Sequence, residues 1–193
     1  EYIWNTNFHF GDWLTPSVSI NMESGMMDML QSALQTKEIV PTFFYAYSCS
    51  ILSKVSKILG KDDKRAYYDG LFEKIKEAFQ YEYVNEDGTI KSDLQGIQVL
   101  ALHMELVDGK AKEQTEFLSV PYLLDVLCDA GYKRLAYKIL YQEECPSWLY
   151  EVKMGATSVW ESWQAILPDG KCTFVSLAHY AYGCVGNWIY RNI

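Results

Sequence analysis

The sequence predicts an all-α fold built from antiparallel helical hairpins. From Glu23 onwards, apolar residues recur at spacings of three and four in one segment after another, which is the period of an amphipathic helix. Short turns that contain glycine or proline separate these segments, and no convincing set of alternating, strand-like runs is present. We therefore expect about eight helices joined by short loops in an antiparallel array.

The elements follow one another in a simple order. Residues 1 to 22 are expected to be irregular, because turn residues such as Gly11 and Pro16 are interleaved with aromatics. The helical stripes that follow cover about 23–40, 42–59, 63–83, 93–106, 120–128, 132–142 and 176–190. The segment 42–59 carries its large apolar residues on one stripe, which consists of Phe44, Tyr47, Ile51, Leu52, Val55, Ile58 and Leu59.

Composition and charge restrict the class of protein. The chain of 193 residues, with 49% hydrophobic and 22% charged residues, is long and apolar enough for one core, and we expect residues 1–193 to form a single domain. A formal net charge of -8 argues against a nucleic-acid backbone or an anionic membrane as the partner, whereas a neutral ligand is compatible. No apolar run of about 18 residues, as a membrane span needs, is present.

The cysteines indicate a reducing compartment. There are five of them, they are scattered, and they form no C-x-x-C pair. This pattern is typical of free thiols rather than of a disulfide framework or a zinc site. We therefore expect a cytoplasmic location, or a secreted or periplasmic one if an upstream signal was lost. The high aromatic density from Glu1 onwards is what a piece of a longer protein would show.

The tryptophans favour a toroid over a plain bundle. Five of them lie outside the helix interiors, namely Trp4, Trp13, Trp148, Trp160 and Trp163. In a bundle, tryptophans would lie on helix stripes, whereas in a toroid of hairpins the connections at one end converge and their aromatics line a pocket. No letter pattern recurs from one helix pair to the next, so a repeat solenoid is not supported.

The stretch PSWLYEVKMGATSVWESW places one carboxylate, Glu161, between Trp160 and Trp163. Indole faces stack on the apolar faces of a sugar ring while an acid handles protons, so the pattern suits a sugar-cleaving site. A surface glutamate on an amphipathic turn is the alternative. Asp12 beside Trp13 is a second carboxylate next to an indole, and a helix-capping aspartate is an equally good explanation there.

Metal and nucleotide chemistry find no support in the sequence. None of the three histidines forms a ligand pair, and a dinucleotide fingerprint, a P-loop and a G-x-S-x-G motif are all missing. We therefore expect no metal and no cofactor. His179, between small residues and tyrosines, is expected to open the last helix, where a histidine is more often part of the core than of a site.

The residues resemble the catalytic domain of bacterial α-L-rhamnosidases, glycoside hydrolases with an (α/α)6-toroid domain of the six-hairpin type. The resemblance is carried by PSWLYEVKMGATSVWESW together with FGDWL, FFYAYSCSILSKVSKILGKDD, IKEAFQYEYVNEDGTIKSDLQGIQVLALHMELV, PYLLDVLCDAGYKRLAYKIL and SLAHYAYGCVGNWIYRNI. These segments occur in the order of the family and cover nearly the whole chain.

The resemblance implies roles for individual residues. Glu161 matches the general base, which activates a water for attack on the anomeric carbon of a terminal α-L-rhamnosyl residue with inversion. Asp12, Trp13, Trp160 and His179 match positions that line the rhamnose pocket. The implied partner is a rhamnose-containing glycoside.

The chain departs from the family at two places. The general acid of the family lies in an acidic segment upstream of the GDW motif, and this chain has no such segment, so Asp12 is expected to be a sugar ligand. Between Val107 and Phe117, the family usually has another helix where this chain has DGKAKEQTE. The chain then corresponds to about the C-terminal half of the toroid. We expect it to be inactive or nearly so by itself, and to self-associate or pair with the missing half through exposed apolar edges.

Two other functions are compatible with the helical pattern. Another (α/α)6 glycosidase or lyase would share the toroid without the ordered motifs. A non-catalytic helical interaction module would use its aromatics only as core.

Overall fold

Eight α-helices form in the part of the chain that the structure, a computed structural model, describes. This part comprises residues 1–6, 9–12, 25–107 and 120–193, except for the side chains of 25–29, Ser32 and Gln95. The helices are α1 (Gly25–Thr36), α2 (Val40–Ile58), α3 (Asp62–Tyr83), α4 (Gln95–His103), α5 (Val120–Asp129), α6 (Lys133–Leu140), α7 (Trp148–Lys153) and α8 (Val185–Asn192). A 3-10 helix, Ala181–Cys184, precedes α8.

Helices dominate throughout these ranges. The only β pairing among the described residues is two isolated bridges, Val84 with Ile90 and Ile166 with Cys172. The predicted all-α class is therefore confirmed. None of the helices in the described ranges is both long and apolar enough to cross a membrane.

The chain divides into two compact units. One combines residues 1–19 and 26–118, and the other combines residues 20–25 and 119–193. The first unit thus contains α2, α3 and α4, and the second contains α5 to α8 with the 3-10 helix.

The first unit is built around the pairing of α2 with α3. Gly60 makes the tight turn between them with a φ of +65°, a conformation that glycine adopts without steric cost. The rings of Phe43 and Phe79 pack with their centroids 5.1 Å apart, and both side chains are fully buried beside Ile75. This cluster forms the core between the two helices.

Helix α2 buries a different face from its stripe of large apolar residues. Its buried residues are Val40, Thr42, Phe43, Ala46, Cys49, Ser53 and Ser56. We call the opposite set the α2 outer stripe, and its members Phe44, Ile51, Leu52, Val55, Ile58 and Leu59 are between 39% and 83% exposed. Small side chains along the buried face let α3 approach closely, and Ser53 donates a hydrogen bond to Asp69 of α3.

The second unit is held together by aromatic packing between its helices. Trp188 of α8 is buried, and its ring meets Tyr137 of α6 edge to face at 5.3 Å. The Tyr137 hydroxyl also donates to the Asn192 carbonyl at 2.7 Å, which fixes α8 on α6. Helix α5 packs against α6, the 3-10 helix and α8.

Two local features differ from the sequence prediction. Helical structure near the C-terminal end starts only with the 3-10 helix at Ala181, and α8 at Val185, not at Ser176 as predicted. The Ser176 and His179 N–H groups instead donate within the preceding loop, to the Glu161 side chain and the Val159 carbonyl. The short helix α7 was not expected. The Ser147 hydroxyl caps it by accepting from the Tyr150 N–H at 3.1 Å.

Candidate functional site

The segment that carries Glu161 is a loop of two arms, residues 158–179, which we call the Glu161 loop. The arms meet at the turn around Gly170, whose φ of +83° favours glycine. Four backbone hydrogen bonds join them, from His179 to Val159, Glu161 to Ser176, Thr173 to Ala165 and Leu167 to Lys171, at 2.7 to 3.0 Å. A loop held at this many points can present a side chain in a fixed position.

The Glu161 carboxylate is fixed at one oxygen. Its Oε2 accepts the N–H of Ser176 at 2.8 Å, while the Glu161 N–H donates to the Ser176 carbonyl at 3.0 Å. Within the described ranges, no hydrogen bond reaches Oε1, and the side chain is partly exposed. A carboxylate with one oxygen anchored and one available is suited to accept a proton from a water.

The two tryptophans beside Glu161 belong to the core. Trp160 is 2% exposed and meets the Tyr150 ring edge to face at 6.5 Å, and Trp163 is 8% exposed. Such buried indoles can offer a sugar at most an edge. The prediction that Trp160 contacts rhamnose stays a prediction.

Trp163 stands in a stack of aromatic rings. Its ring lies 3.6 Å from that of Tyr182 at an angle of 19°, and Trp148 meets it edge to face at 5.3 Å. The Trp148 indole N–H also donates to the Tyr182 carbonyl at 2.9 Å. Trp148, Trp163 and Tyr182 thus contact one another, and together with the buried Trp160 they make up what we call the aromatic cluster, which ties the Glu161 loop to α7 and to the 3-10 helix.

His179 lies on the second arm of the loop. Its N–H bonds to Val159, two residues before Glu161, which brings the two predicted site residues to neighbouring positions of the loop. The ring stacks on Tyr180 at 4.9 Å, and its Nδ1 accepts the Ala181 N–H at 3.2 Å. Because Nδ1 is an acceptor, the neutral ring carries its proton on Nε2 and can donate from there.

A second glutamate, Glu151, was not singled out by the sequence. It lies on α7, is 3% exposed, and accepts the N–H of Trp160 on Oε2 at 3.3 Å. Its other oxygen is buried and has no hydrogen-bond partner among the described residues. Burial raises the pKa of this carboxyl to about 7, against a smaller lowering effect of the Trp160 N–H.

Asp12 lies in the first unit and is buried. Asp12 is 3% exposed, and its N–H donates to the Thr36 hydroxyl at 2.6 Å. The preceding Gly11 has a φ of +54°, and a Cβ there would approach the Thr36 oxygen to 2.4 Å, so only glycine fits. Trp13, the neighbour predicted to line the pocket, lies outside the described residues.

An aromatic cavity adjoins this segment. It has a volume of about 440 Å³ and is lined by Trp4, His9, Phe10, Gly11, Phe44 and Tyr45, among others. Trp4 is half exposed, and its ring meets Tyr45 edge to face. The aromatic density of the first thirteen residues was the signal for this cavity, but the contribution of α2 could not be seen in the sequence.

The structure thus places Trp160, Glu161 and His179 on one loop of the second unit, whereas Asp12 lies in the first unit. Among the described residues, no group of His, Cys, Asp and Glu side chains is arranged as metal ligands, and all five cysteines are free.

Known proteins with the same sequence pattern are α-L-rhamnosidases. An enzyme of that name from Streptomyces avermitilis is 39% identical over 190 residues, which cover 88% of this chain and 18% of the relative. One from Formosa agariphila is 31% identical over 206 residues, which cover 95% of this chain and 21% of the relative. The chain therefore spans about a fifth of the length of these relatives.

Solved structures show the same fold. The crystal structure of the Streptomyces avermitilis enzyme complexed with L-rhamnose matches with a TM-score of 0.83 at 35% identity, over 100% of this chain and 19% of that one. The crystal structure of the native α-L-rhamnosidase from Aspergillus terreus matches with a TM-score of 0.83 at 25% identity, over 96% of this chain and 23% of that one. The family model for the bacterial alpha-L-rhamnosidase 6 hairpin glycosidase domain matches residues 2–193. This chain belongs to that family of six-hairpin glycosidase domains.

Proposed function

We propose that this chain is part of a catalytic domain that hydrolyses terminal α-L-rhamnosyl residues of rhamnosides with inversion, and that Glu161 is the general base. The observation that carries the proposal is the Glu161 carboxylate, which is anchored at Oε2 by Ser176 and available at Oε1. Membership of the rhamnosidase family supplies the substrate class.

The reaction uses two carboxyl groups on opposite sides of the scissile bond. Glu161 takes a proton from a water as the water oxygen bonds to the anomeric carbon, while the glycosidic bond breaks. A second group, acting as acid, gives its proton to the leaving oxygen. An inverting enzyme needs the two carboxyls roughly 6.5 to 9.5 Å apart to leave room for the water.

The other site residues hold the sugar. His179 can donate a hydrogen bond from Nε2 to a sugar hydroxyl, because its Nδ1 is occupied by the Ala181 N–H. Asp12 accepts from sugar hydroxyls, and Trp13 and Trp160 exclude solvent around the 6-deoxy sugar. The relative from Streptomyces avermitilis, whose structure contains L-rhamnose, supports this choice of ligand.

The general acid comes from outside these 193 residues. The α2 outer stripe supports a partner, since six large apolar side chains at 39% to 83% exposure form a face that the rest of a toroid would cover. By itself the chain is therefore inactive or nearly so, and it self-associates or pairs with the remainder of the domain. The cytoplasmic location expected from the free thiols stays a prediction.

The test is Glu161→Gln in the complete polypeptide that carries this chain. Loss of the base lowers kcat for an aryl rhamnoside by about 10²- to 10⁴-fold, measured by release of the aryl alcohol. Glu144→Gln, at an exposed position nearby, is the matched control and keeps the activity.

A second variant separates the chemical role from a structural one. In Glu161→Ala, azide attacks the anomeric carbon without needing a base, so added azide restores aglycone release and yields the β-rhamnosyl azide. Undiminished hydrolysis by Glu161→Gln would refute the assignment of the base. Rapid rhamnose release by the isolated 193-residue chain would refute the external acid.

A further inference from the structure

Glu151 is a buried carboxylate for which the proposed mechanism has no use. Only 3% of the residue is exposed, and its Oε1 has no hydrogen-bond partner in the part of the chain that the structure describes. Burying a carboxyl group with one oxygen unsatisfied costs folding free energy, which a leucine or methionine of similar size would avoid. Such a residue is a candidate for a role beyond packing.

Within the described ranges, the side chain of Glu151 makes one hydrogen bond, and this bond points to that role. Its Oε2 accepts the N–H of Trp160, the residue directly before Glu161. The N–H of Glu161 itself donates to the Ser176 carbonyl. Two successive peptide groups are therefore fixed, one by α7 and the other by the second arm of the Glu161 loop.

The surroundings reinforce this attachment. Tyr150, the neighbour of Glu151 on α7, packs against the Trp160 ring and donates its hydroxyl to the Ile166 carbonyl at 2.7 Å. The backbone carbonyl of Glu151 accepts the Ala156 N–H at 3.0 Å and closes the turn after the helix. Helix α7 thus holds the Glu161 loop through the side chains of two adjacent residues.

We propose, building on the role of Glu161 as the base, that Glu151 is a positioning residue whose carboxyl group fixes the Trp160 peptide and thereby the place of the Glu161 carboxylate. Glu151 does not touch the substrate. It acts through the backbone of the loop, where a displacement of the base by about 1 Å costs roughly 100-fold in rate.

The protonation state of Glu151 should influence how firmly it holds the Trp160 peptide. With a pKa of about 7, the carboxyl is neutral in weakly acidic solution and ionises as the pH rises. The titratable group facing it, among the described residues, is the thiol of Cys145, whose pKa is raised by burial and, in second place, by the charge of Glu151. The thiol therefore stays neutral while Glu151 titrates. The ionised carboxylate accepts the Trp160 N–H more strongly, but burial disfavours the charge by more, so a rise in pH favours opening of the loop around Glu151.

The experiment uses Glu151→Met and Glu151→Gln in the complete polypeptide, with Val152→Gln as the control at a neighbouring position of α7 that is 65% exposed. Methionine removes the acceptor, so we expect kcat to fall roughly 10- to 100-fold with KM within about threefold. Amide exchange at Trp160, followed by mass spectrometry, speeds up at least about tenfold. The control leaves all three quantities unchanged.

Glutamine keeps the acceptor and removes the titration. Protection of the Trp160 amide, corrected for the intrinsic exchange rate, falls in the parent as the pH rises from about 4.5 to about 7 and is level above, and it is independent of pH in Glu151→Gln. This readout does not depend on catalysis. It also remains available if Glu151→Met fails to fold.

Each possible result supports or refutes a specific part of the proposal. Unchanged Trp160 exchange in Glu151→Met, or a fall in protection below about pH 7 that persists in Glu151→Gln, overturns the anchoring. Faster exchange with unchanged kcat overturns the positioning role, provided that Glu161→Gln is inactive. If Glu161→Gln is active, the assignment of the base has failed, and the exchange data still judge the attachment of the loop to Glu151.

Discussion

The α2 outer stripe and the aromatic cluster beneath the Glu161 loop are both rich in large apolar side chains, but they differ in burial. The stripe, in the first unit, is 39% to 83% exposed. In the cluster, in the second unit, Trp160, Trp163 and Tyr182 are between 1% and 8% exposed.

The difference in burial distinguishes a cluster that is packed within its own unit from a surface that is not covered. The cluster completes the support of Glu161 within one unit, because its rings and hydrogen bonds come from residues 148 to 182. The stripe leaves apolar surface in water, which is unfavourable unless another surface covers it. The proposed base is therefore supported within its own unit, whereas the α2 outer stripe stays exposed.

The comparison is tested most strongly at Trp163. Truncation to alanine removes a buried ring that stacks on Tyr182, and we expect the unfolding free energy of the second unit to fall by about 3 to 5 kcal/mol. Hydrogen exchange of the slowest amides in α7 and α8 measures this change. Tyr190→Ala, at a residue 90% exposed, is the control and should change it by less than about 0.5 kcal/mol. A small effect of Trp163→Ala would show that the cluster is not a self-contained core.

The pH dependence of stability tests the buried carboxyl beside the cluster. Unfolding returns Glu151 from a pKa of about 7 to its ordinary value of 4.5. The folded protein therefore holds this proton more tightly, and stability falls as the pH rises from about 4.5 to about 7 and is level above. The loss is at most about 3 kcal/mol, at about 1.4 kcal/mol per pH unit.

Glu151→Gln removes this contribution. The difference in unfolding free energy between parent and variant, measured by urea denaturation from pH 5 to pH 8, should shift in favour of the variant as the pH rises. A difference that is constant over this range would mean that Glu151 is ionised throughout.

Helical periodicity predicted the fold where helices are regular. The segments at 42–59 and 63–83 agree with α2 and α3 to within a few residues, since Gly60 between them and the acids in the first turn of α3 leave local signals. The same periodicity did not identify the buried face of α2. A stripe predicts that a helix has a partner, but it does not tell whether that partner lies within these 193 residues.

The candidate site could be predicted only in part. Glu161 was singled out because a carboxylate between indoles is a local pattern, and the family resemblance supplied its proposed role. Glu151 lies ten positions earlier, and nothing local distinguishes it from a surface glutamate. Its burial depends on the Glu161 loop packing over α7, which is a tertiary contact. For the same reason, His179 was placed on a helix although its N–H pairs with Val159.

The smallest effect on stability is expected on the α2 outer stripe. Ile58→Ser replaces a side chain that is 83% exposed, so the unfolding free energy of the first unit should change by less than about 0.5 kcal/mol. Phe43→Ala, on the buried face of the same helix, should cost about 3 to 5 kcal/mol.

Substitutions on the α2 outer stripe, which should hardly change stability, should change self-association. Light scattering of the purified 193-residue chain should show self-association, and Ile58→Ser combined with Leu59→Ser should weaken it at unchanged helix content, because both remove apolar area from the uncovered face. A sharp monomer peak for the parent chain would contradict the need for a partner. If the parent associates but the double variant associates equally well, the contact surface lies elsewhere, and the contrast between a stripe awaiting a partner and a self-sufficient cluster would no longer hold.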